Sequence, residues 1–202
     1  RMKTADGEKK YNLERKMKEM LILVNSLDEE IGYGEKIEVH IKGELHRAFS
    51  LFIYNKYDQK LLLQKRAKDK YHSGGLWTNS CCSHPRKGES LKEAIKRRTC
   101  EELGIMNEES VIDWSKLREI GVFQYCHKFE TCYENEIDHV FFLSVDNADI
   151  KLNPDIDEIE MVKWTTIQEL TGWLEQIPYE FTVWFAEAFR LLREGIDFDC
   201  FG

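Results

Sequence analysis

SHPRKGESLKEAIKRRTCEELGI, residues 83–105, decides how this chain folds. Its middle reads as a helix with both ends signalled. Ser90 stands where an N-cap accepts a main-chain N–H, and Gly104 follows Leu103 as a stop residue. At ~100° per residue, Leu91, Ala94 and Ile95 form one apolar stripe. Arg98 and Glu102 continue that stripe, whereas Arg97 and Glu101 lie to one side. Charges on a core-facing stripe must pair, bind a metal or open into a cleft. Taken by itself, the helix leaves an Arg98–Glu102 salt bridge on a solvated last turn as an equal alternative.

The residues just upstream carry reactive groups. In Trp77-Thr78-Asn79-Ser80-Cys81-Cys82-Ser83-His84-Pro85 a thiol stands two residues from an imidazole, shortly after Gly74-Gly75. Cysteine moves protons near neutral pH once its surroundings shift its pKa, and histidine is the commonest metal ligand. The segment can thus hold a metal and a proton-transfer group side by side. Before it run Gln64-Lys65-Arg66-Ala67-Lys68-Asp69-Lys70 and Tyr71-His72-Ser73-Gly74-Gly75. Four basic residues leaving a strand clamp phosphate oxygens well, and they also make an ordinary charged loop.

Strands surround this centre. Met20–Val24 is a short apolar run, Leu45–Tyr54 and Lys60–Gln64 form a hairpin, and 120–125, 137–145 and 161–165 are strand-like. A period of two places Glu134, Glu136 and Asp138 on the side of Val140 and Phe142, and His46 on the side of Ala48, Ser50 and Phe52. Such carboxylates serve as metal ligands, as an acid/base group or as solvated surface. His40, His46, His84, Glu134 and Glu136 all fall near expected strand starts or loops. Two further helices are expected: one from Thr166 to Leu174, opened by a capping box, and one whose core face is Phe181, Trp184, Phe185, Ala188, Leu191 and Leu192. The fold class is α/β in the α+β sense, a mixed sheet flanked by helices.

With 202 residues, 42% of them apolar, and no Pro-, Gly- or Ser-rich linker, one domain over 20–202 is expected after a charged extension, 1–19. A formal charge of −8 excludes a general nucleic-acid or anionic-membrane binder and leaves room for a local basic pocket. The six cysteines form no C-x-x-C pair, which excludes a zinc ribbon or thioredoxin-type site. No secretory leader is legible, and no apolar run approaches the ~18 residues that span a bilayer. A cytoplasmic protein with reduced thiols is expected, with a monomer favoured.

Read backwards from Gly104, the chain resembles the Nudix box, G-x5-E-x7-R-E-U-x-E-E-x-G-U with U bulky and apolar. The matching residues are Glu89, Arg97, Glu101, Glu102, Gly104 and Ile105. Ser83 replaces the first Gly, Arg98 the Glu after Arg, and Thr99 the apolar residue. With LHRAFS (45–50), LWTNSCCSHP (76–85) and ENEIDHVF (134–141), residues 20 to 192 resemble the type I isopentenyl-diphosphate isomerases. That family interconverts isopentenyl and dimethylallyl diphosphate on a Nudix-like fold.

The resemblance implies a residue for each part of that chemistry. His40, His46, His84, Glu134 and Glu136 match a divalent metal site suited to Mn²⁺ or Zn²⁺. Glu102 and the main-chain carbonyl of Cys82 match the site of a second ion, Mg²⁺, that accompanies the diphosphate. Cys82 and Glu136 match the acid/base pair, Tyr125 a tyrosine assisting the glutamate, and Trp184 an indole facing the reacting carbons. Lys36, Arg66, Lys70 and Arg98 match diphosphate-binding positions. Cys-x-His spacing selects Cys82 over Cys81. The implied partner is a small isoprenoid diphosphate. A Nudix hydrolase and a non-catalytic Nudix-fold binding module are the alternatives.

Overall fold

The computed structural model describes residues 19–105, 112–146 and 150–201. The expected charged extension therefore lies outside the described residues except for Glu19. Strand β1 (Met20–Val24) pairs antiparallel with β2 (Glu30–Glu35), and helix α1 (Lys36–Lys42) leads to β3 (His46–Asn55) and β4 (Lys60–Arg66). Two short strands follow, β5 (Trp77–Thr78) and β6 (Cys81–Ser83), and then α2 (Leu91–Leu103). β7 (Arg118–Lys128), β8 (Tyr133–Val145) and β9 (Ile159–Thr165) complete the sheet, and α3 (Ile167–Gln176) and α4 (Phe185–Gly195) end the chain.

β3 organises the sheet. One edge runs parallel to β8 from His46↔Glu136 to Asn55↔Val145. The other edge is shared in turn by β1 at His46, by β6 at Phe49–Leu51 and by β4 at Ile53–Asn55. β4 thus diverges from β3 after a short pairing and takes β5 and β9 as further partners. The segment from Trp77 to Ser83 fills the fork.

Alternation along β3 and β8 builds two cores. Odd positions Phe49, Leu51, Ile53, Phe141, Leu143 and Val145 pack with Ala94, Ile95 and Leu103 of α2. Even positions Phe52, Tyr54, Val140 and Phe142 pack with Leu170 of α3 and Phe185, Ala188 and Leu192 of α4. The expected mixed sheet with helices on both faces is the observed one. All six cysteines are free, and among the described residues no helix is long and apolar enough to cross a membrane.

The expected capping box at Thr166 forms with Glu169, and the expected N-cap at Ser90 is completed into a capping box by Glu93. Three readings differ. The last helix begins at Phe185, because the N–H of Thr182 donates to Trp77 O at 2.9 Å and holds this stretch extended beside β5. Residues 36–42 form a helix that was not expected, so His40 is helical. Ile37, Val39 and Ile41 alternate like a strand, but the Glu35 carboxylate caps the turn and Gly43 (φ 68°) ends it. Glu19, grouped by charge with the tail, is buried, with its carboxylate 2.6 Å from Arg86 Nε and 3.3 Å from Lys36 Nζ.

Gly104 closes α2 at φ 64°, and a Cβ there would lie 2.2 Å from Asn153 O. Gly104→Ala combines a left-handed conformation with a backbone collision, so urea unfolding should show a loss of at least about 2 kcal/mol. Glu19 supplies a pH test. Burial opposes its ionisation, yet Lys36 and then Arg86 outweigh that and hold its carboxyl at about 2, from an ordinary 4.5. Its contribution is complete above pH 4.5 and is lost as pH falls toward about 2. Glu19→Gln should be less stable than the parent at neutral pH, with the gap closing across that acid window in urea midpoints.

Candidate active site and metal centre

The fork in the sheet explains WTNS, residues 77–80. Strands that part leave ladder groups without partners, and these must be satisfied. Ser80 Oγ donates to Leu62 O at 2.6 Å and accepts from Ile53 N at 2.8 Å. Asn79 Nδ2 donates to Leu51 O at 3.2 Å and Cys81 O at 2.7 Å. Thr78 Oγ1 lies 3.1 Å from Trp184 Nε1 and fixes the indole. With the wedge locked this way, Cys81 sinks into the α2-side core, while Cys82 lines a pocket on the opposite side. Burial of Cys82 pushes its thiol up to about 12; Arg66 works against this, and Glu102, Asp138 and Glu136 reinforce it. The group is a thiol at neutral pH.

His40 of α1, His46 at the start of β3, His84 after β6, and Glu134 and Glu136 of β8 converge, with ligand atoms all within 4.8 Å of one another. The three imidazoles touch, at centroid separations of 4.8, 5.3 and 4.9 Å. His40 Nδ1 is 2.6 Å from Lys36 O, and His46 Nδ1 is 2.8 Å from Glu44 O. A ring whose Nδ1–H serves a carbonyl offers the Nε2 lone pair to the centre. Both Nε2 atoms are buried without a well-formed hydrogen bond, each with a carboxylate oxygen at 3.4 Å, Glu134 for His40 and Glu136 for His46. Orphaned donor atoms of this kind suit a divalent cation, so the residues fit a metal ion.

Charge in the cluster is held unequally. Burial and then Glu136 raise the Glu134 carboxyl above its usual range. Burial acts on Glu136 as well, but hydrogen bonds from Glu134, His46 and His84 hold it well below. Burial lowers His84 to about 3 against the pull of Glu136, leaving a neutral ring whose Nε2 is 2.7 Å from Glu136 Oε1. Tyr125, kept a phenol first by burial and then by Glu136, donates to Glu136 Oε2 at 2.6 Å.

The same pocket carries four basic side chains, Lys36, Arg66, Lys70 and Arg98; Lys36 lies one helical turn before His40, and Lys70 and Arg98 meet at Glu158. Arg98 Nη2 contacts Glu102 Oε1 at 2.5 Å, and Gln64 Nε2 donates to Glu102 Oε2 at 3.0 Å. The Arg98–Glu102 pair exists, but its glutamate is buried rather than on a solvated turn. Arg66 sits 5.6 Å over the Trp184 ring and 4.0 Å from Cys82 Sγ. Among the box residues, Glu89 grips Arg97 at 2.7 and 2.8 Å, and Arg97 Nη2 reaches His84 O at 3.4 Å. That pair pins the loop bearing His84 to α2.

Every site residue expected from the sequence thus belongs to one pocket and the adjoining cluster. Three others were assigned no role. His72 places Nε2 2.5 Å from Glu134 Oε1, Asp138 accepts from Ser50 Oγ at 2.7 Å, and Glu158 pairs with Lys70. His72 stood within the stretch beside Gly74-Gly75, and Asp138 on the face of Glu136. Glu158 is one acid among several in 155–160 and gave no signal.

Comparison with known proteins agrees with this geometry. The NUDIX domain family model matches residues 44–185. An isopentenyl-diphosphate Delta-isomerase of Burkholderia multivorans is 42% identical over 170 residues, 84% of this chain and 90% of that protein. One of Serratia proteamaculans is 45% identical over 170 residues, with 84% and 88% covered. A solved Deinococcus radiodurans structure superposes with a TM-score of 0.65 at 19% identity, covering 89% of this chain and all of the other, and shows the fold alone. The chain belongs to the isopentenyl-diphosphate Delta-isomerase family, built on the NUDIX domain.

Proposed function

We propose that this protein interconverts isopentenyl and dimethylallyl diphosphate, with Cys82 and Glu136 as the acid/base pair. One observation carries the assignment of residues: a thiol and a carboxylate–phenol pair line a single pocket that also carries four basic side chains. Moving an unactivated double bond requires a proton delivered to its terminal carbon and another removed from the carbon beyond the tertiary centre. The proton gained balances the proton lost, so no redox partner is needed. Cys82 holds its proton and Glu136 is ionised, one donor and one acceptor, and isomerisation in either direction uses one of each.

Tyr125 donates to Glu136 and tunes its basicity as its charge changes. Trp184, locked by Thr78, offers its ring to the cationic carbon, a contact worth ~2 kcal/mol or more when desolvated. Such a cation reacts with water, so the buried lining serves as exclusion. Lys36, Arg66, Lys70 and Arg98 bind the diphosphate. His40, His46, His84, Glu134 and Glu136 would hold Mn²⁺ or Zn²⁺; Glu102 and the Cys82 carbonyl would hold Mg²⁺ with the diphosphate. When bound, these ions supply positive charge that orients the Glu136 carboxylate and neutralises the anion. The partner is this small substrate, and the cytoplasm is the proposed location.

Incubation with isopentenyl diphosphate and Mg²⁺ in deuterated water, followed by NMR, tests this reading. Deuterated dimethylallyl diphosphate is expected. Phosphate release would replace the reading with hydrolysis, and untouched substrate with a binding role. Cys82→Ala should lower turnover by a factor of about 10² or more. Cys81→Ala, on the other face of β6, should keep turnover and cost about 1 kcal/mol of stability. Equal loss of activity in both would assign the thiol wrongly.

A further inference from the structure

Glu158, the residue before β9, is buried, and its carboxylate pairs with Lys70 Nζ and lies 3.5 Å from Arg98 Nη2. Its main chain holds the same loop, since Ala67 N donates to Glu158 O at 2.9 Å and Lys70 N to Ala67 O at 3.2 Å. Lys70 and Arg98 are thereby tied to one acidic side chain in the lining of the pocket, although they come from a loop and a helix far apart in sequence.

The surroundings of Lys70 make that tie consequential. Burial pushes its ammonium below the ordinary lysine value, and Arg66 pushes the same way. Glu158 and Glu102 are the groups that favour the charged form. Glu102 is already engaged by Arg98 and Gln64. Glu158 is therefore the side chain in direct contact with Lys70 that opposes loss of its proton.

We propose that Glu158 is a positioning residue for the diphosphate, holding Lys70 beside Arg98 as a charged donor. The inference rests on the reading of Lys70 and Arg98 as diphosphate ligands. It assigns Glu158 no contact with the reacting carbons. Loss of its charge should leave anion binding little changed in mildly acidic solution, where Lys70 is charged regardless. As pH rises, binding should fail earlier than in the parent. Arginine stays protonated throughout, so Lys70→Arg should remove the dependence on Glu158.

The test is calorimetric titration of the full chain with inorganic pyrophosphate and Mg²⁺, from about pH 6.5 to about 9.5, for the parent, Glu158→Gln, Lys70→Arg and the double variant. At the alkaline end Glu158→Gln should bind about tenfold more weakly than the parent, while the double variant matches Lys70→Arg at every pH. In isomerisation assays the loss should fall on KM, with kcat within about twofold. Parallel pH profiles for parent and Glu158→Gln, an equal loss at every pH, or a double variant weaker than Lys70→Arg would overturn the inference. Pyrophosphate binding with the expected split but no isomerisation would sink the proposed reaction and leave the inference standing. A parent that binds no pyrophosphate would sink both.

Discussion

Everything at this site depends on how the divergence of β3 from β4 is satisfied. Two strands that separate expose N–H and C=O groups which the interior cannot leave bare. The wedge Trp77–Ser83 supplies the missing partners, with Ser80 bridging Leu62 and Ile53, and Asn79 serving Leu51 and Cys81. Because these bonds leave no freedom to slide, the wedge has one register. That register sends Cys81 into the core and Cys82 to the pocket, carries His84 toward β8 and fastens Trp184 through Thr78. A buried polar network of this kind is demanding, since each unsatisfied member costs about 1–3 kcal/mol.

Around that wedge the site is a problem of burying charge. At one end, three imidazoles and two carboxylates crowd together, with candidate ligand atoms within 4.8 Å of one another and the Nδ1 atoms of His40 and His46 bound to carbonyls. At the other, Lys70 and Arg98 answer to Glu102 and Glu158, while Lys36 answers to Glu19. Neither end would be stable as isolated charge in an apolar interior; each is held by counter-charges and hydrogen bonds, and each is suited to exchange them for a cation or an anion. Between the two ends lie Cys82, Tyr125, Glu136 and Trp184, where burial keeps the thiol and the phenol protonated while hydrogen bonds keep the carboxylate ionised.

Much of this was legible in the sequence because its signals are local. Strand alternation put Glu134, Glu136 and Asp138 on the face of Val140 and Phe142, and those carboxylates are found on that face, below the apolar core it builds. The N-cap at Ser90 and the capping box at Thr166 depend on residues at most three apart and were readable directly. Helix α1 was not, because seven residues with alternating Ile and Val mimic a strand, and the cap that decides the matter is one hydrogen bond from Glu38 N to Glu35. The start of α4 also escaped, since an extended contact with β5, distant in the chain, overrode a helical spacing.

The sequence by itself determined the two-sided patterning of the sheet, the helix ends and, through its resemblance to a family, which side chains belong together. The first two follow from period and capping over a few residues; the third is what the resemblance implies. Tertiary structure alone decided that Glu102 is buried and shared between Arg98 and Gln64, that His72 meets Glu134, and that Glu158 joins Lys70 to Arg98. Those contacts join groups from separate elements whose closeness depends on how the sheet forks and how its faces are covered. A glutamate that reads as one solvated acid in a run of acids becomes the partner of two buried cations only when β9 is laid against β4.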